Sequence, residues 1–261
     1  MERLANKCAL VTGGAAGIGA GIVEKFLSEG AYVVAFDKNE KALNEFERTY
    51  KDSRFGNQNK LKCYPLDISN RTQVDDIFEL ERVPKFDILV NNAGVDKHFD
   101  WLNLDWNGWK KIMDTNISGT AYVTSNVLKQ MTDNHKKGSI IFITSIHNAQ
   151  AFPGGAAYDA TKHALVGMMR NVALEYGKKG IRSNAIAPGA IGNAGPTANI
   201  SETLKKHFEN SIPLGRLGTA EDIANVAAFL ASDEAAYING AQIRVVGGSS
   251  VVSDLFNQNL L

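Results

Sequence analysis

Short apolar runs alternate with longer segments of helical periodicity along the whole chain of 261 residues. The runs are too continuously apolar to leave one face in solvent, as expected for strands that are buried on both sides. Strict alternation of this kind predicts an α/β fold, in which helices cover both faces of a parallel sheet and the crossovers are right-handed. The predicted strands are 8–12, 31–37, 61–66, 86–91, 139–144, 181–187 and 242–246, and the predicted helices are 17–29, 39–50, 70–80, 105–134, 158–177 and 219–232.

The polar and glycine-rich motifs of the chain all follow predicted strands. A glycine-rich turn, 12–19, follows the first strand, and the Asn-Asn-Ala-Gly segment 91–94 follows the fourth. Ser145 comes after the fifth strand and the Pro-Gly pair 188–189 after the sixth. Ligands of parallel sheets bind beyond the carboxyl ends of the strands. The sequence therefore predicts one ligand-binding edge that collects these motifs.

The glycine-rich turn predicts a pocket for a dinucleotide. Gly13, Gly17 and Gly19 allow the backbone to turn sharply and to approach a pyrophosphate, whose charge suits the N-terminus of the following helix. Asp37 ends the second predicted strand, where a carboxylate accepts hydrogen bonds from ribose hydroxyls and repels a 2′-phosphate. This favours NAD over NADP. Lys38 is the opposing observation, because a cation at this position is able to pair with a 2′-phosphate, although a lysine at a helix start is more often simply solvated.

Ser145, Tyr158 and Lys162 predict a proton-transfer set. Residues four apart share one face of a helix, so Tyr158 and Lys162 present a phenol and an ammonium side by side. An unperturbed phenol titrates near pH ~10, and a neighbouring cation favours the phenolate, so we expect Lys162 to lower the pKa of Tyr158. Ser145 would hold the substrate oxygen while Tyr158 gives or takes its proton, and hydride would pass to or from a nicotinamide.

Together with Asn116 in an Asn-Ile-Ser-Gly segment, these motifs resemble those of the classical short-chain dehydrogenases/reductases over nearly the whole length of the chain. The resemblance implies a Rossmann-type fold, a doubly wound parallel sheet of about seven strands with helices on both faces. It implies a single dinucleotide-binding and catalytic domain over residues 1–261, with a substrate loop at about 190–212. In the family, the asparagine of the catalytic set anchors a water that links the lysine to solvent. The implied catalytic residues are Asn116, Ser145, Tyr158 and Lys162.

The resemblance also extends the cofactor site. Ala16 stands where phosphate-selective relatives often carry a basic residue, which again favours NAD. Asp67 falls where the family contacts adenine, although an N-cap for the next helix is an equally good interpretation. The implied cofactor-binding residues are Gly13, Gly17, Ile18, Gly19, Asp37, Asp67, Ile68, Asn92, Ala93, Gly94, Tyr158, Lys162, Pro188, Gly189 and Ile191.

Composition limits the other partners. The 28 basic and 28 acidic residues cancel, so nothing favours binding to nucleic acid or to an anionic membrane. No apolar stretch approaches the ~20 residues that span a bilayer, and the N-terminus lacks the apolar core of a secretory signal, so a cytoplasmic protein is expected. Cys8 and Cys63 lie in predicted buried strands, and no metal site is predicted. The tetramers common in the family, with the apolar tail 251–261, predict a homo-oligomer, most often a tetramer.

Polar residues beyond the strand ends predict the substrate class. Several of them are hydrogen-bonding groups, which suit a substrate with several hydroxyls better than a steroid or a fatty acyl chain. The Ser-Ile-His segment 145–147 also resembles a stretch of some sugar dehydrogenases of the family. The prediction is an NAD(H)-dependent oxidoreductase that acts on a secondary alcohol, ketone or hemiacetal, with a sugar or polyol favoured. The predicted substrate residues are Asp96, His147, Asn148, Gln150 and Asn193; Asn193 also replaces a threonine usual in the family, which leaves a contact with the nicotinamide carboxamide open.

Two alternatives stay open at this point. A 3-oxoacyl-carrier-protein reductase would prefer NADPH and would need a basic docking patch, and Asp37 with Ala16 counts against it. A non-enzymatic regulator that senses the dinucleotide would need only the glycine-rich turn and Asp37, so the complete set around Tyr158 counts against that class.

Overall fold

The structure is a computed structural model that describes residues 2–51, 60–80, 82–192 and 200–250. It contains the predicted seven strands in one sheet, and each lies within two residues of its predicted bounds. They are β1 (Cys8–Thr12), β2 (Tyr32–Asp37), β3 (Leu61–Pro65), β4 (Ile88–Asn91), β5 (Gly138–Ile143), β6 (Ile181–Pro188) and β7 (Gln242–Val245). The order across the sheet is β3-β2-β1-β4-β5-β6-β7, and all neighbouring strands are parallel.

Helices cover both faces of the sheet, as predicted. They are α1 (Gly17–Ser28), α2 (Glu40–Lys51), α3 (Arg71–Glu79), α4 (Trp106–Met113), α5 (Thr120–Asp133), α6 (Ala156–Tyr176), α7 (Glu202–Ser211) and α8 (Ala220–Ala231). On one face, α1 and α8 bury side chains such as Phe26 and Ile223 against the sheet. On the other, α3, α5 and α6 bury Val74, Val127 and Met169. Each strand in the middle of the sheet is therefore covered twice, which explains its continuous apolar sequence.

The two edge strands differ from the prediction of strands that are buried on both sides. No residue of β3 or β7 is fully buried, and each of these strands has a hydrogen-bonded neighbour on one side only. Cys63 of β3 and Cys8 of β1 are free thiols and only half-buried, and burial raises the pKa of each to about 12.

Two helical segments also differ from the prediction. The long helix predicted for 105–134 is interrupted by a π-helical turn, Asp114–Gly119, between α4 and α5. Turns of this kind are frequent at functional sites, and this one contains Asn116. Within the predicted loop 190–212, residues 202–211 form α7, whose N-cap Ser201 accepts a hydrogen bond from the backbone N–H of Leu204. The serine followed by Glu202 is an N-terminal helix signal that the loop prediction overlooked.

The order of the strands in the sheet determines where the binding crevice lies. Chain connectivity runs outward in opposite directions from β1 and β4, which are neighbours in the sheet. The crossover helices leave a crevice at such a switch point, beyond the carboxyl ends of the strands. The glycine-rich turn and the segment 91–94 meet there, with the residues that follow β5 and β6 alongside.

Candidate active site

The glycine-rich turn adopts the conformation that its glycines predict. Gly13 and Gly17 have φ values of +64° and +53°, a region that other residues rarely adopt. A Cβ atom on Gly19 would lie 1.9 Å from the carbonyl oxygen of Gly13. The Asn92 side-chain amide donates hydrogen bonds of 3.0 Å to the carbonyl oxygens of Thr12 and Gly13. The end of β4 therefore holds the turn in place.

The turn fits the pyrophosphate of a dinucleotide. Helix α1 starts directly after it, and the N-cap residue Ala16 supplies no side-chain hydrogen bond to the first helical turn. The backbone N–H groups of that turn thus remain available to an anion. Asp37 lies next to the turn, since its carboxylate accepts hydrogen bonds from the N–H groups of Ala15 (3.2 Å) and Asn39 (2.9 Å).

Asp67 lies at the mouth of a cavity of about 210 Å³ that Lys38 and Lys111 also line. Burial raises the pKa of Asp67, but hydrogen bonds from Ser69 and the charges of the two lysines outweigh it, so that the pKa is lowered. The N-cap alternative for Asp67 is wrong, because Asn70 caps α3. The side chain of Ile68 is buried, which leaves only its backbone for a ligand.

The residues after β6 are only partly described. Gly189 pairs with Val245 of β7 through a backbone hydrogen bond of 3.0 Å, and a Cβ atom on it would approach Val246 to 3.1 Å. Ile191 is buried and forms an isolated backbone bridge with Gly218. Asn193 lies outside the described residues.

Ser145, Tyr158 and Lys162 come together at the carboxyl end of β5. Ser145 directly follows the strand region and its Oγ accepts a hydrogen bond of 3.3 Å from the backbone N–H of His147. Lys162 is almost fully buried, donates a hydrogen bond of 2.9 Å to the carbonyl oxygen of Ile143, and lies 5.2 Å from the centroid of the Tyr158 ring. The helical spacing of four thus brings the two side chains together as predicted.

The pKa of Tyr158 is raised overall, whereas the charge of Lys162 alone predicts a lowered value. Burial raises the pKa of the phenol, the negative charge of Asp96 raises it further, and only the hydrogen bond with Ser145 acts in the opposite direction. Burial also lowers the pKa of Lys162 to about 8, against the attraction of Asp96. The lysine therefore holds its proton less firmly than an exposed lysine does, which weakens it as a source of positive charge.

Asn116 links the end of β4 to α6. Its side chain accepts a hydrogen bond of 2.8 Å from the N–H of Val95 and donates one of 2.9 Å to the carbonyl of the same residue. It also donates to the hydroxyl of Thr161, 3.1 Å away. A Cβ atom on Gly94 would lie 3.4 Å from Asn116 Oδ1 and 3.8 Å from Lys162 Nζ. The side chains of Asn116 and Lys162 thus both approach Gly94, and the Asn116 amide is already bound to Val95.

The predicted substrate residues separate into two groups. Asp96 and His147 lie at the proton-transfer set, since Asp96 acts electrostatically on Tyr158 and Lys162, and the His147 ring is 5.1 Å from the Tyr158 ring. Asn148 is used within the fold, because its side chain bonds to Thr144 and to Gln242 of β7. Gln150 is exposed on the surface beyond them.

Known proteins resemble this chain over almost its full length. Residues 13–250 match the family model described as enoyl-(acyl carrier protein) reductase. The chain is 36% identical to the 3beta-hydroxysteroid dehydrogenase 2 of Eggerthella lenta, over 95% of this chain and 96% of that protein. It is 35% identical to the 3-oxoacyl-[acyl-carrier-protein] reductase of Chlamydia muridarum, over 94% and 98%. A gluconate 5-dehydrogenase from Burkholderia cenocepacia, solved in complex with NADP and tartrate, superposes with a TM-score of 0.87 at 28% identity, over 97% of this chain and 98% of that one.

The chain belongs to the short-chain dehydrogenase/reductase family. As a member of that family it binds a nicotinamide dinucleotide and is an oxidoreductase that acts on a secondary alcohol or ketone. None of the helices in the described part of the chain is both long and apolar enough to cross a membrane.

Sequence reasoning missed three residues of this short-chain dehydrogenase/reductase site. Thr12 joins the ends of β1 and β4, because its hydroxyl accepts hydrogen bonds of 3.1 Å from the N–H groups of Asn92 and Ala93. Thr161 connects Asn116 to α6, and Asp159 pairs with His147. The only sequence signal for Asp159 is its position next to Tyr158.

Asp96 is expected to set the pH dependence of the reaction. We expect the phenolate of Tyr158 to be the base in the direction of alcohol oxidation, so that kcat/KM rises with pH through the apparent pKa of the coupled Tyr158 and Lys162 pair. Asp96→Asn removes a charge that raises the pKa of Tyr158, so the rising limb should move to lower pH. Asp100→Asn is the matched control, since Asp100 is an exposed carboxylate of the same loop and asparagine preserves its cap on Leu102. If the rising limb of the kcat/KM profile of Asp96→Asn stays in place or moves to higher pH, the electrostatic role of Asp96 is contradicted.

Proposed function

We propose that the chain is an NAD(H)-dependent dehydrogenase of a neutral, polyhydroxylated substrate, a sugar or a polyol, whose secondary alcohol, ketone or hemiacetal carbon reacts. The observation that carries this proposal is the carboxylate of Asp96. Its Oδ1 atom is buried and has no hydrogen-bond partner among the described residues, and its negative charge lies close enough to raise the pKa of both Tyr158 and Lys162. A buried acceptor without a partner costs about 1–3 kcal/mol, more when charged, and a substrate hydroxyl that donates to it removes that cost.

In the proposed reaction the chain's own residues handle the proton. Tyr158 gives a proton to the substrate oxygen or takes it, and Ser145 donates a hydrogen bond to the same oxygen. Lys162 neutralises the negative charge that develops on the phenol, at a position fixed by the carbonyl of Ile143. Asn116 holds Val95 and Thr161 and so fixes the wall between Asp96 and α6. The bound nicotinamide supplies or accepts the hydride.

The charge of the site supports a neutral substrate. Asp96 and Asp159 both lie close enough to raise the pKa of Tyr158 by their negative charge. A carboxylate on the substrate would meet this negative field, whereas hydroxyl groups are donors to it. The resemblance to a gluconate 5-dehydrogenase supports a hydroxylated substrate. The negative charge of Asp96 favours an aldose or a polyol over a sugar acid.

A ketone reductase of 3-oxoacyl thioesters is the second candidate. It is supported by the identity of 35% to the 3-oxoacyl-[acyl-carrier-protein] reductase of Chlamydia muridarum and by the description of the family model. It does not explain why a carboxylate oxygen is buried without a partner beside the reacting groups. An acyl chain on that oxygen would leave the cost of burial in place.

We further propose that the chain works as a single catalytic domain over residues 1–261, in the cytoplasm, and as a homo-oligomer, with a tetramer favoured. Large apolar side chains on its surface support the oligomer, since Leu174 and Tyr237 are 82% and 103% exposed and Trp101 and Trp106 are 68% exposed each. A non-enzymatic regulator that only binds the dinucleotide does not require a buried lysine. Because burial of Lys162 costs free energy, its presence supports an enzyme instead.

The preference for NAD(H) is the first test. The Asp37 carboxylate, held by Ala15 and Asn39, repels a 2′-phosphate, so kcat/KM should favour NAD(H) over NADP(H) at least tenfold, about 1.4 kcal/mol. Asp37→Ala should narrow the ratio, whereas Glu40→Ala, an exposed carboxylate at the start of α2, should leave it unchanged. Lys38→Ala tests the opposing hypothesis, in which Lys38 pairs with the 2′-phosphate of NADP(H). Under that hypothesis, loss of the lysine would widen the preference for NAD(H). Equal or better activity of the unaltered protein with NADP(H) would overturn the assignment.

The substrate class is tested by a screen that follows nicotinamide absorbance. The panel contains aldoses (glucose, galactose), polyols (sorbitol, inositol), a sugar acid (gluconate), a simple ketone (cyclohexanone) and a short acyl thioester (acetoacetyl-N-acetylcysteamine), each with both cofactors. We expect the highest kcat/KM with a neutral polyhydroxylated compound. Failure of every sugar and polyol, together with good turnover of the thioester or the simple ketone, would sink this proposal and leave the enzyme class standing.

A further inference from the structure

The carboxylate of Asp159, the residue after Tyr158, joins two segments of the pocket wall. Its Oδ1 atom lies 2.5 Å from Nδ1 of His147, and its Oδ2 atom accepts a hydrogen bond of 3.1 Å from the backbone N–H of Phe152. Both side chains of the pair are largely buried, with 18% of His147 and 13% of Asp159 exposed. Asp159 also lies in the first turn of α6, where negative charge is favoured. This contact is therefore a fixed part of the site.

The contact determines which nitrogen of His147 carries the proton. A carboxylate only accepts hydrogen bonds, so the nitrogen that faces it, Nδ1, must be the donor. In a neutral imidazole the other nitrogen, Nε2, then has a free lone pair. The tautomer is assigned from this hydrogen bond. Asp159 thus makes Nε2 a hydrogen-bond acceptor.

The ring of His147 is held beside the reacting groups. It stacks on Phe152 with ring centroids 3.9 Å apart and an angle of 24°, and it lies edge-on to Tyr158 at 5.1 Å and 85°. Its backbone N–H donates to Oγ of Ser145. No hydrogen bond to Nε2 is present among the described residues, and Nε2 is not one of their buried unpaired atoms. The acceptor is therefore accessible, on a ring that lies against the Tyr158 ring and belongs to a residue hydrogen-bonded to Ser145 through its backbone.

We propose that Asp159 is a positioning residue that acts through His147, and that His147 Nε2 accepts a hydrogen bond from a substrate hydroxyl next to the reacting carbon. The proposal rests on the proposed function, because only a substrate with a second hydroxyl uses this acceptor. It also gives the sequence Tyr158-Asp159 a role that the proton-transfer set does not require.

The substitution Asp159→Asn is expected to change the tautomer of His147 and to leave the packing around it almost unchanged. The asparagine oxygen still accepts from the Phe152 N–H, while its NH₂ group donates to His147 Nδ1. His147 then carries its proton on Nε2, which becomes a donor. A substrate hydroxyl that donated to Nε2 now meets a donor, so it has to turn its oxygen lone pair toward Nε2 and loses the orientation it has in the wild-type site, with little change in the shape of the site.

Two probes of the same shape measure the consequence. Trans-1,2-cyclohexanediol and cyclohexanol differ by one hydroxyl next to the reacting carbon, and the rate of oxidation of each is measured with NAD. The wild-type enzyme should prefer the diol, and Asp159→Asn should lower the ratio of the two kcat/KM values about tenfold, chiefly through KM of the diol. Any effect of the lost charge on Tyr158 falls on both probes and cancels in the ratio.

Control variants keep the result interpretable. His163→Gln is the matched control, because the exposed His163 contacts the backbone carbonyl of Asp159 (2.8 Å) and not its carboxylate, so the ratio should not change. His147→Leu should reduce the ratio as Asp159→Asn does, and the double variant should show no further loss, as expected for two residues that act as one unit. Additive losses would contradict the coupling of the two residues.

Long-range ¹H–¹⁵N spectra of histidine-labelled protein test the tautomer without any substrate. The His147 signal, assigned by its absence in His147→Leu, should report Nδ1–H in the wild type and Nε2–H in Asp159→Asn. The same tautomer in both proteins would overturn the role of Asp159. A wild-type enzyme without a preference for the diol would overturn the hydroxyl acceptor together with the proposed function. A wild-type preference that Asp159→Asn retains would overturn the inference alone.

Discussion

The hydroxyl of Thr12 joins the two strands between which the sheet reverses its order. It accepts hydrogen bonds of 3.1 Å from the N–H groups of Asn92 and Ala93 and donates one of 3.4 Å to the carbonyl of Val90. Asn92 in turn holds the glycine-rich turn, and the residues after Ala93 hold Asn116 and approach Lys162. One junction between β1 and β4 therefore fixes the dinucleotide cradle relative to the proton-transfer set. Because parallel strands end at the same edge, this geometry follows from the fold itself.

The site keeps ionisable groups in surroundings that disfavour their charge. Lys162 and the phenol of Tyr158 are buried, and Asp96 has a carboxylate oxygen without a partner among the described residues. Such groups cost free energy of folding, and structures retain them where they are used in chemistry or binding. These three groups act on one another, because the charge of Asp96 shifts the pKa of both Tyr158 and Lys162. In our account, a cofactor and a hydroxylated substrate supply the missing partners.

The sequence predicted the sheet, the order of its elements and the convergence of Ser145, Tyr158 and Lys162, because alternating patterns and helical spacing are local properties. It did not predict the π-helical turn at Asn116, since a single inserted residue in a helix leaves no periodic signal. The pKa of Tyr158 was predicted in the wrong direction, because burial and the charge of Asp96 depend on contacts distant in the chain. The His147–Asp159 pair, twelve residues apart, was missed for the same reason.

We propose that the phenol of Tyr158 carries the proton of the reaction. The most direct measurement is the single-turnover and steady-state rate of Tyr158→Phe with the best substrate of the wild type, together with its affinity for NADH. We expect kcat to fall by a factor on the order of 10² or more while NADH affinity is nearly unchanged, because the variant keeps the ring and loses only the hydroxyl. Turnover by Tyr158→Phe within a few-fold of the wild type would contradict the account and assign the proton to another group.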